Sequence, residues 1–251
     1  MVGEIAAMDI IIVQKRRKKI NRMTIFEYLK GPHPWLDTNN YTLTQIILFF
    51  IGSVLWLVCY ADTLLDIKNK KTLNIPLAAI VLNFGWEIAA CWFFVPNMGK
   101  LLVAAYWAWM CFDVFIFANT FRYGYKQVMN SFFRDRLNFF LGVGIVISFL
   151  TQVTYMVQYD LPMAPITGYI INLVMSISFL YLIIIPGYEG DSYVTGWSKF
   201  LGTGIISVMF YTKYPQNYFL VAMYIAVALF DVLYLVLLHK KRAMASNMVP
   251  A

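Results

Sequence analysis

Seven stretches of mostly apolar residues follow one another along the chain, near residues 43–66, 73–94, 101–121, 138–158, 163–186, 196–212 and 217–238, with shorter polar segments between them. A helix that crosses the hydrocarbon of a bilayer needs about 20 such residues, so the pattern predicts seven membrane-spanning helices. The sixth is the weakest, being short and carrying Lys199. The third and fourth are divided by the polar stretch "RYGYKQVMNSFFRDRLN", and the other connections are brief. The expected fold is all-α and integral to the membrane. It is a compact seven-transmembrane-helix bundle over residues 43–238, with a basic, amphipathic N-terminal segment over residues 1–42 at the membrane surface and a short basic tail over residues 239–251.

Composition agrees with that reading. The 251 residues are 61% hydrophobic and 13% charged, against about half apolar and one quarter charged in soluble domains. The net charge of +7 gathers at segment ends, as residues flanking membrane spans do, so no nucleic-acid partner is expected. The stretch "QKRRKKINRMTIFEYLKGPHPWL" reads as a segment lying on lipid headgroups. It does not read as a cleavable signal peptide, because the apolar residues 10–13 are too few and precede the basic run. Met8 and Met23 are alternative starts. Short loops on the side of the C-terminus carry Lys68, Lys70, Lys71, Arg122, Lys126, Arg134, Arg136, Lys240, Lys241 and Arg242, while the other side has Lys100 and Lys213. That asymmetry predicts a cytoplasmic C-terminus. Cys59, Cys91 and Cys111 fall inside apolar runs and read as small core residues, not as a disulfide or metal site.

Candidate chemistry begins with "NFGWEIAACWFF", an apolar run with Glu87 in its middle. Asp113 in the third stretch and Asp231 in the seventh are likewise well inside. A charge at mid-membrane costs at least about 2.5 kcal/mol unless it is neutralised, paired or turned to a cavity. Three acids in one small bundle therefore point to a shared polar interior. For each, the plain alternative is a structural hydrogen bond between helices. Apolar surroundings favour the neutral carboxylic acid, and a second carboxyl nearby adds to that. Such a group can protonate a weak base, and it can equally serve a proton-coupled transporter.

Other polar and aromatic residues are placed to line the same space. Asn83 is one turn before Glu87 and shares its face, and Asn172 and Ser176 are four apart in "GYIINLVMSISFL". Interhelical hydrogen bonding explains these equally well. Lys199 in "GWSKFLGTG" reads as a snorkelling or pairing residue near an interface, and Gly202 and Gly204 as sites of close helix packing. Trp56, Tyr60, Trp86, Trp107, Trp109 and Tyr234 punctuate the stretches. Most fit interface belts and core packing. Those facing a cavity would stabilise a cation through their ring quadrupoles, and Trp86, beside the buried acid, is the best placed.

Five motifs in order, "NFGWE", "WMCFDV", "NLVMSISFL", "WSKFLGT" and "FDVLY", resemble the small seven-span terpene cyclases of meroterpenoid and indole-diterpene pathways, of the pyripyropene and paxilline type. The likeness runs over roughly residues 43–238, and the Lys-, Ile- and Asn-rich usage suggests a bacterial relative. The resemblance implies cyclisation of a prenyl chain, begun by protonating a terminal epoxide or alkene, in an isomerase- or lyase-type reaction of secondary metabolism. The family's two essential acids map onto Glu87 and Asp231, and its third-span Asp onto Asp113. Asn83, Trp86, Asn172, Ser176, Tyr60, Trp109 and Tyr234 are the expected substrate-binding residues. The implied partners are a prenylated small molecule arriving from the bilayer and the lipids themselves, with no obligate protein partner.

The sequence has no DDxxD for a magnesium-diphosphate site and no DxDD, the acid motif of soluble protonation-type cyclases. No metal or organic cofactor is expected. A proton-coupled transporter or lipophilic-ligand binder remains the main alternative, with the buried acids as a proton relay. A retinal photoreceptor would need a Schiff-base lysine, and residues 217–238 contain none.

Overall fold

The computed structural model describes residues 24–247; the basic run at residues 15–19, Met8 and Met23 lie outside them. Nine α-helices are found among the described residues: α1 (Ile25–Lys30), α2 (Leu43–Lys70), α3 (Leu77–Trp92), α4 (Lys100–Tyr123), α5 (Ser131–Asp135), α6 (Leu137–Gln158), α7 (Pro165–Ile184), α8 (Tyr193–Lys213) and α9 (Tyr218–Asn247). A 3-10 turn, Gly124–Gln127, follows α4.

Local chemistry sets these boundaries. Thr42 and Gln45 form a reciprocal capping box at the start of α2, and Thr24 and Glu27 do the same for α1, each pair satisfying backbone donors that a helix start leaves free. Pro76 precedes α3, and Pro165 occupies the first turn of α7, where its missing N–H costs nothing. Ser192 caps α8 by accepting from Thr195 N. Gln127 closes the polar stretch between α4 and α6. Its side-chain oxygen accepts from Leu77 N at 2.9 Å, and its amide donates to the carbonyls of Leu73 and Ile75.

All seven predicted stretches are helical, but they are not equivalent. Among the described residues, five helices are long and apolar enough to cross a membrane: α2, α4 with its 3-10 turn, α6, α7 and α9. Helix α3 is apolar but has only 16 residues, or about 24 Å at 1.5 Å per residue. Helix α8 is diluted by Lys199, by serines and threonines, and by three glycines. The basic tail expected after residue 238 instead continues α9 to Asn247, where Lys241 donates to Asp191 Oδ1 at 3.2 Å and Arg242 to the Asp191 carbonyl at 3.0 Å. The described part of the N-terminal segment packs on the end of the bundle. Tyr28 stacks on His33, and Lys100 N and Leu101 N donate to the carbonyls of Pro34 and Trp35.

Helix α2 runs along α8, α3 lies between α4 and α6, and α9 packs on α7 and α8, while α3 also touches α7. The α2–α8 crossing is close because of Gly52 and Gly202: a Cβ on Gly52 would lie 2.9 Å from the Gly202 carbonyl oxygen, and one on Gly202 3.0 Å from that of Gly52. Gly204 corrects the expectation made for it, since a Cβ there would meet nothing within 4 Å. Cys111 also departs from its expected core place. It is exposed on the outer face of α4, whereas Cys59 and Cys91 are buried. Among the described residues the two larger apolar cores lie one toward the α3–α4 connection around Tyr106, Met156 and Phe210, the other toward the C-terminus around Ile116, Phe179 and Leu238, and a smaller one joins Ile25 and Tyr28 to Val103. Trp109 packs against both larger cores, and a cavity opens beside it.

Candidate active site

Five helices and one loop enclose that cavity. Helix α2 contributes Phe49, Trp56 and Tyr60; α3 contributes Asn83, Trp86 and Glu87; and α4 contributes Tyr106 and Trp109. The wall is completed by Tyr169, Asn172 and Met175 of α7, by Thr203 and Phe210 of α8, and by Met163 and Ala164 of the loop before α7. Asn83, Trp86 and Glu87 reach the same space because positions three and four apart share a helix face.

The three membrane acids have different surroundings. Glu87 is buried in the cavity wall, and among the described residues the one hydrogen bond to its carboxyl is from the Cys91 thiol, a weak donor at 3.9 Å. Asp113 is set behind the wall and accepts at Oδ2 from the Tyr60 hydroxyl, 3.1 Å away, and from the Asn83 amide at 2.9 Å. It thus holds two lining side chains in place, and Asn83 also donates to the Tyr60 oxygen at 3.0 Å. Asp231 does not line the cavity. Lys199 Nζ donates to both its oxygens, at 2.6 and 2.8 Å, and to Ser176 Oγ at 2.7 Å. Lys199, expected near an interface, is 1% exposed.

Of the expected substrate-binding residues, Asn83, Trp86, Asn172, Tyr60 and Trp109 line the cavity. Ser176 and Tyr234 do not. Ser176 is fully buried, donating to the Asn172 carbonyl and accepting from Lys199. Tyr234 packs its ring on Phe179, centroids 4.9 Å apart, and against Gly196. A four-residue spacing places Ser176 under Asn172 on one face, but the face turns away from the cavity between them.

Nothing in the sequence singles out Tyr106, Tyr169 or Phe210, because one aromatic in an apolar run carries no mark of the direction it faces. Tyr106 meets Trp86 edge-on at 5.5 Å, and Tyr169 meets Tyr224 at 4.6 Å. The loop at residues 160–164 is equally unmarked in the hydropathy pattern. Met163 and Ala164 have φ of 72° and 52°, left-handed conformations that cost a non-glycine residue roughly 1–3 kcal/mol each. The fold holds them through Asp160, whose Oδ1 accepts from Leu161 N at 2.7 Å and Ile166 N at 2.9 Å, while Oδ2 accepts from Thr167 N at 2.8 Å. Burial pushes the Asp160 carboxyl above the usual 3.8, against the pull of its bonds from Thr167, Ile166 and Leu161. An aspartate shortly before a helix-starting proline was the available signal.

Three of the lining residues carry buried polar atoms with no partner among the described residues: Trp109 Nε1, Asn172 Oδ1 and Thr203 Oγ1. Such groups are costly when buried and unbonded. The wall as a whole is apolar and aromatic, with one weakly bonded carboxyl and a few hydrogen-bonding points. It suits a hydrocarbon chain bearing an oxygen function, next to an acid.

The family model of Pyr4-like transmembrane terpene cyclases matches residues 34–242, a span that includes every residue of the cavity wall. No curated protein and no solved structure gives a significant match to the chain.

Proposed function

The chain belongs to the Pyr4-like transmembrane terpene cyclases, and from that premise we propose that it cyclises a prenylated, meroterpenoid- or indole-type substrate with Glu87 as the proton donor. The observation that carries this reading is the Glu87 carboxyl itself, buried in an aromatic wall with a single weak donor. Glu87 gives its proton to the terminal epoxide oxygen or alkene of the prenyl chain. With an epoxide, the C–O bond breaks and a tertiary carbocation forms. The next alkene attacks it through its π electrons, a C–C bond closes, and the positive charge moves along the chain. Loss of a C–H proton at the last cation ends the sequence and restores the acid count. The reaction is then an isomerisation that uses neither metal nor organic cofactor.

The aromatic faces of Trp86, Tyr106, Trp109 and Tyr169 stabilise the moving cation. Asp113 orients Tyr60 and Asn83 around the donor. Asp231, neutralised by Lys199, is assigned no part in the first proton transfer; with Ser176 the pair fixes α7, α8 and α9 below the cavity. In this reading α3 and α8 cross the membrane with the other five long helices, giving seven spans. The C-terminus faces the cytoplasm, residues 1–42 lie at the membrane surface, and the substrate arrives laterally from lipid.

Membranes containing the protein, incubated with farnesyl- and geranylgeranyl-bearing aromatics with and without the terminal epoxide, test the proposal by product analysis. Cyclised isomers of one substrate are the expected result. No isomer from any of them, together with proton-driven movement of a lipophilic solute, would replace the cyclase reading by a transporter.

A further inference from the structure

Trp86 is not held by the cavity alone. Its indole N–H donates to Thr167 Oγ1 at 3.0 Å, and the Thr167 hydroxyl in turn donates to Asp160 Oδ2 at 2.6 Å. Thr167 and Asp160 are 5% and 7% exposed, so water competes little for these bonds. The same carboxylate takes the backbone N–H groups of Leu161, Ile166 and Thr167, which ties down the loop that presents Met163 and Ala164 to the cavity. One acid outside the cavity thus fixes both the Trp86 ring and the neighbouring wall.

We propose that Asp160 is a positioning residue for the cyclisation, acting through Thr167 on Trp86 and through the left-handed loop on the cavity wall, and that it thereby governs how far ring closure proceeds. This rests on the cyclase reading above. A carbocation chooses among alkenes and escape routes by the shape around it, and an aromatic face is useful to it only when fixed at one angle. An indole N–H that donates into a hydroxyl–carboxylate chain is locked in rotation. The chain also polarises it toward the carboxylate, leaving the ring richer in electrons. A Trp86 without that bond can tilt about its side-chain torsions. The cation then meets a less defined wall and loses its proton early.

The test uses the full chain in lipid nanodiscs, with Thr167→Val, Thr167→Ser, Asp160→Asn, Trp86→Phe and the double variant Thr167→Val/Trp86→Phe. Ultraviolet resonance Raman spectra report the hydrogen bonding of indole N–H groups, and subtraction of the Trp86→Phe spectrum isolates Trp86. Thr167→Val is expected to move that band to the unbonded position, while Thr167→Ser, which keeps the hydroxyl, leaves it in place. With a substrate that the wild type cyclises, Thr167→Val and Asp160→Asn should lower the fully cyclised fraction about tenfold in favour of early-quenched products, with KM little changed. Thr167→Ser should restore the wild-type profile, and the double variant should add nothing to Trp86→Phe. An unmoved Raman band in Thr167→Val, a wild-type product profile in that variant, or multiplicative effects in the double variant would each overturn the proposal. If Asp160→Asn does not fold, the Thr167 pair decides alone. If the wild type cyclises nothing, the cyclase reading fails, and the Raman comparison still decides whether Thr167 holds the ring.

Discussion

Lys199 Nζ sits 2.6 Å from one oxygen of Asp231 and 2.8 Å from the other, with both side chains buried between α8 and α9. Two charges so enclosed depend on each other. Removing one strands its partner in an apolar interior at a cost of about 3–5 kcal/mol, whereas replacing both by apolar groups is often neutral or better. Asp231→Asn and Lys199→Met should each lower the Tm in detergent, and Lys199→Met/Asp231→Leu should recover most of the loss. Single variants that melt like the wild type would mean that the pair carries no structural weight.

Glu87→Gln keeps shape and removes the transferable proton. Turnover should fall by about 10²–10⁴-fold, the usual worth of a positioned general acid, with the melting temperature unchanged or raised. Product formation is the measurement, with thermal melting as the control for folding. Near-normal turnover would move the acid role elsewhere.

Asp113→Asn should be gentler. Tyr60 and Asn83 both donate to Oδ2, so an asparagine with its oxygen at that position still accepts from both, but as a neutral acceptor it holds them more weakly than a carboxylate. About a tenfold fall in kcat is expected from the looser placement of two lining side chains, and Tyr60→Phe should give a comparable loss. A loss as deep as that of Glu87→Gln would make Asp113 a second proton carrier.

The helix crossing at Gly52 gives a contrast within one protein. Gly52→Val would force a side chain against the Gly202 carbonyl and Ile206, costing about 1–3 kcal/mol by overpacking. Gly204→Ala meets open space and should stabilise α8 by about 0.4–1 kcal/mol through the unfolded chain. Thermal melts of the two variants should shift in opposite directions.

Much of this was legible in the residues alone, and what was not has a physical reason. Glu87, Asn83 and Trp86 stand out because an apolar run makes any polar insertion visible, and their common face follows from helical spacing. The helical character of the seven predicted stretches follows from the same runs, although five of the helices among the described residues are long and apolar enough to cross a membrane. The partner of Asp231 was hidden, since Lys199 lies 32 residues away on another helix and sequence spacing says nothing about which helices adjoin. Ser176 misled because four residues on a helix also advance one turn, here enough to leave the cavity. Asp160 was overlooked because an acid at the end of a span looks like an ordinary surface residue until its four donors are seen.

Helix α3, crossing the bilayer as proposed, is about 24 Å long against a hydrocarbon layer of about 30 Å. A deficit of that size is met by local thinning of the lipid around it, and the helix that carries the acid is the one that draws the two leaflets together. Glu87 is five residues from the end of α3 at Trp92, about 7.5 Å along its axis. Compression of the bilayer brings headgroups and their water toward that end. On the reading proposed above, the interface itself then supplies the proton to Glu87. On that same reading acyl-chain length becomes a control on turnover: short-chain lipids relieve the mismatch, and long saturated ones oppose it.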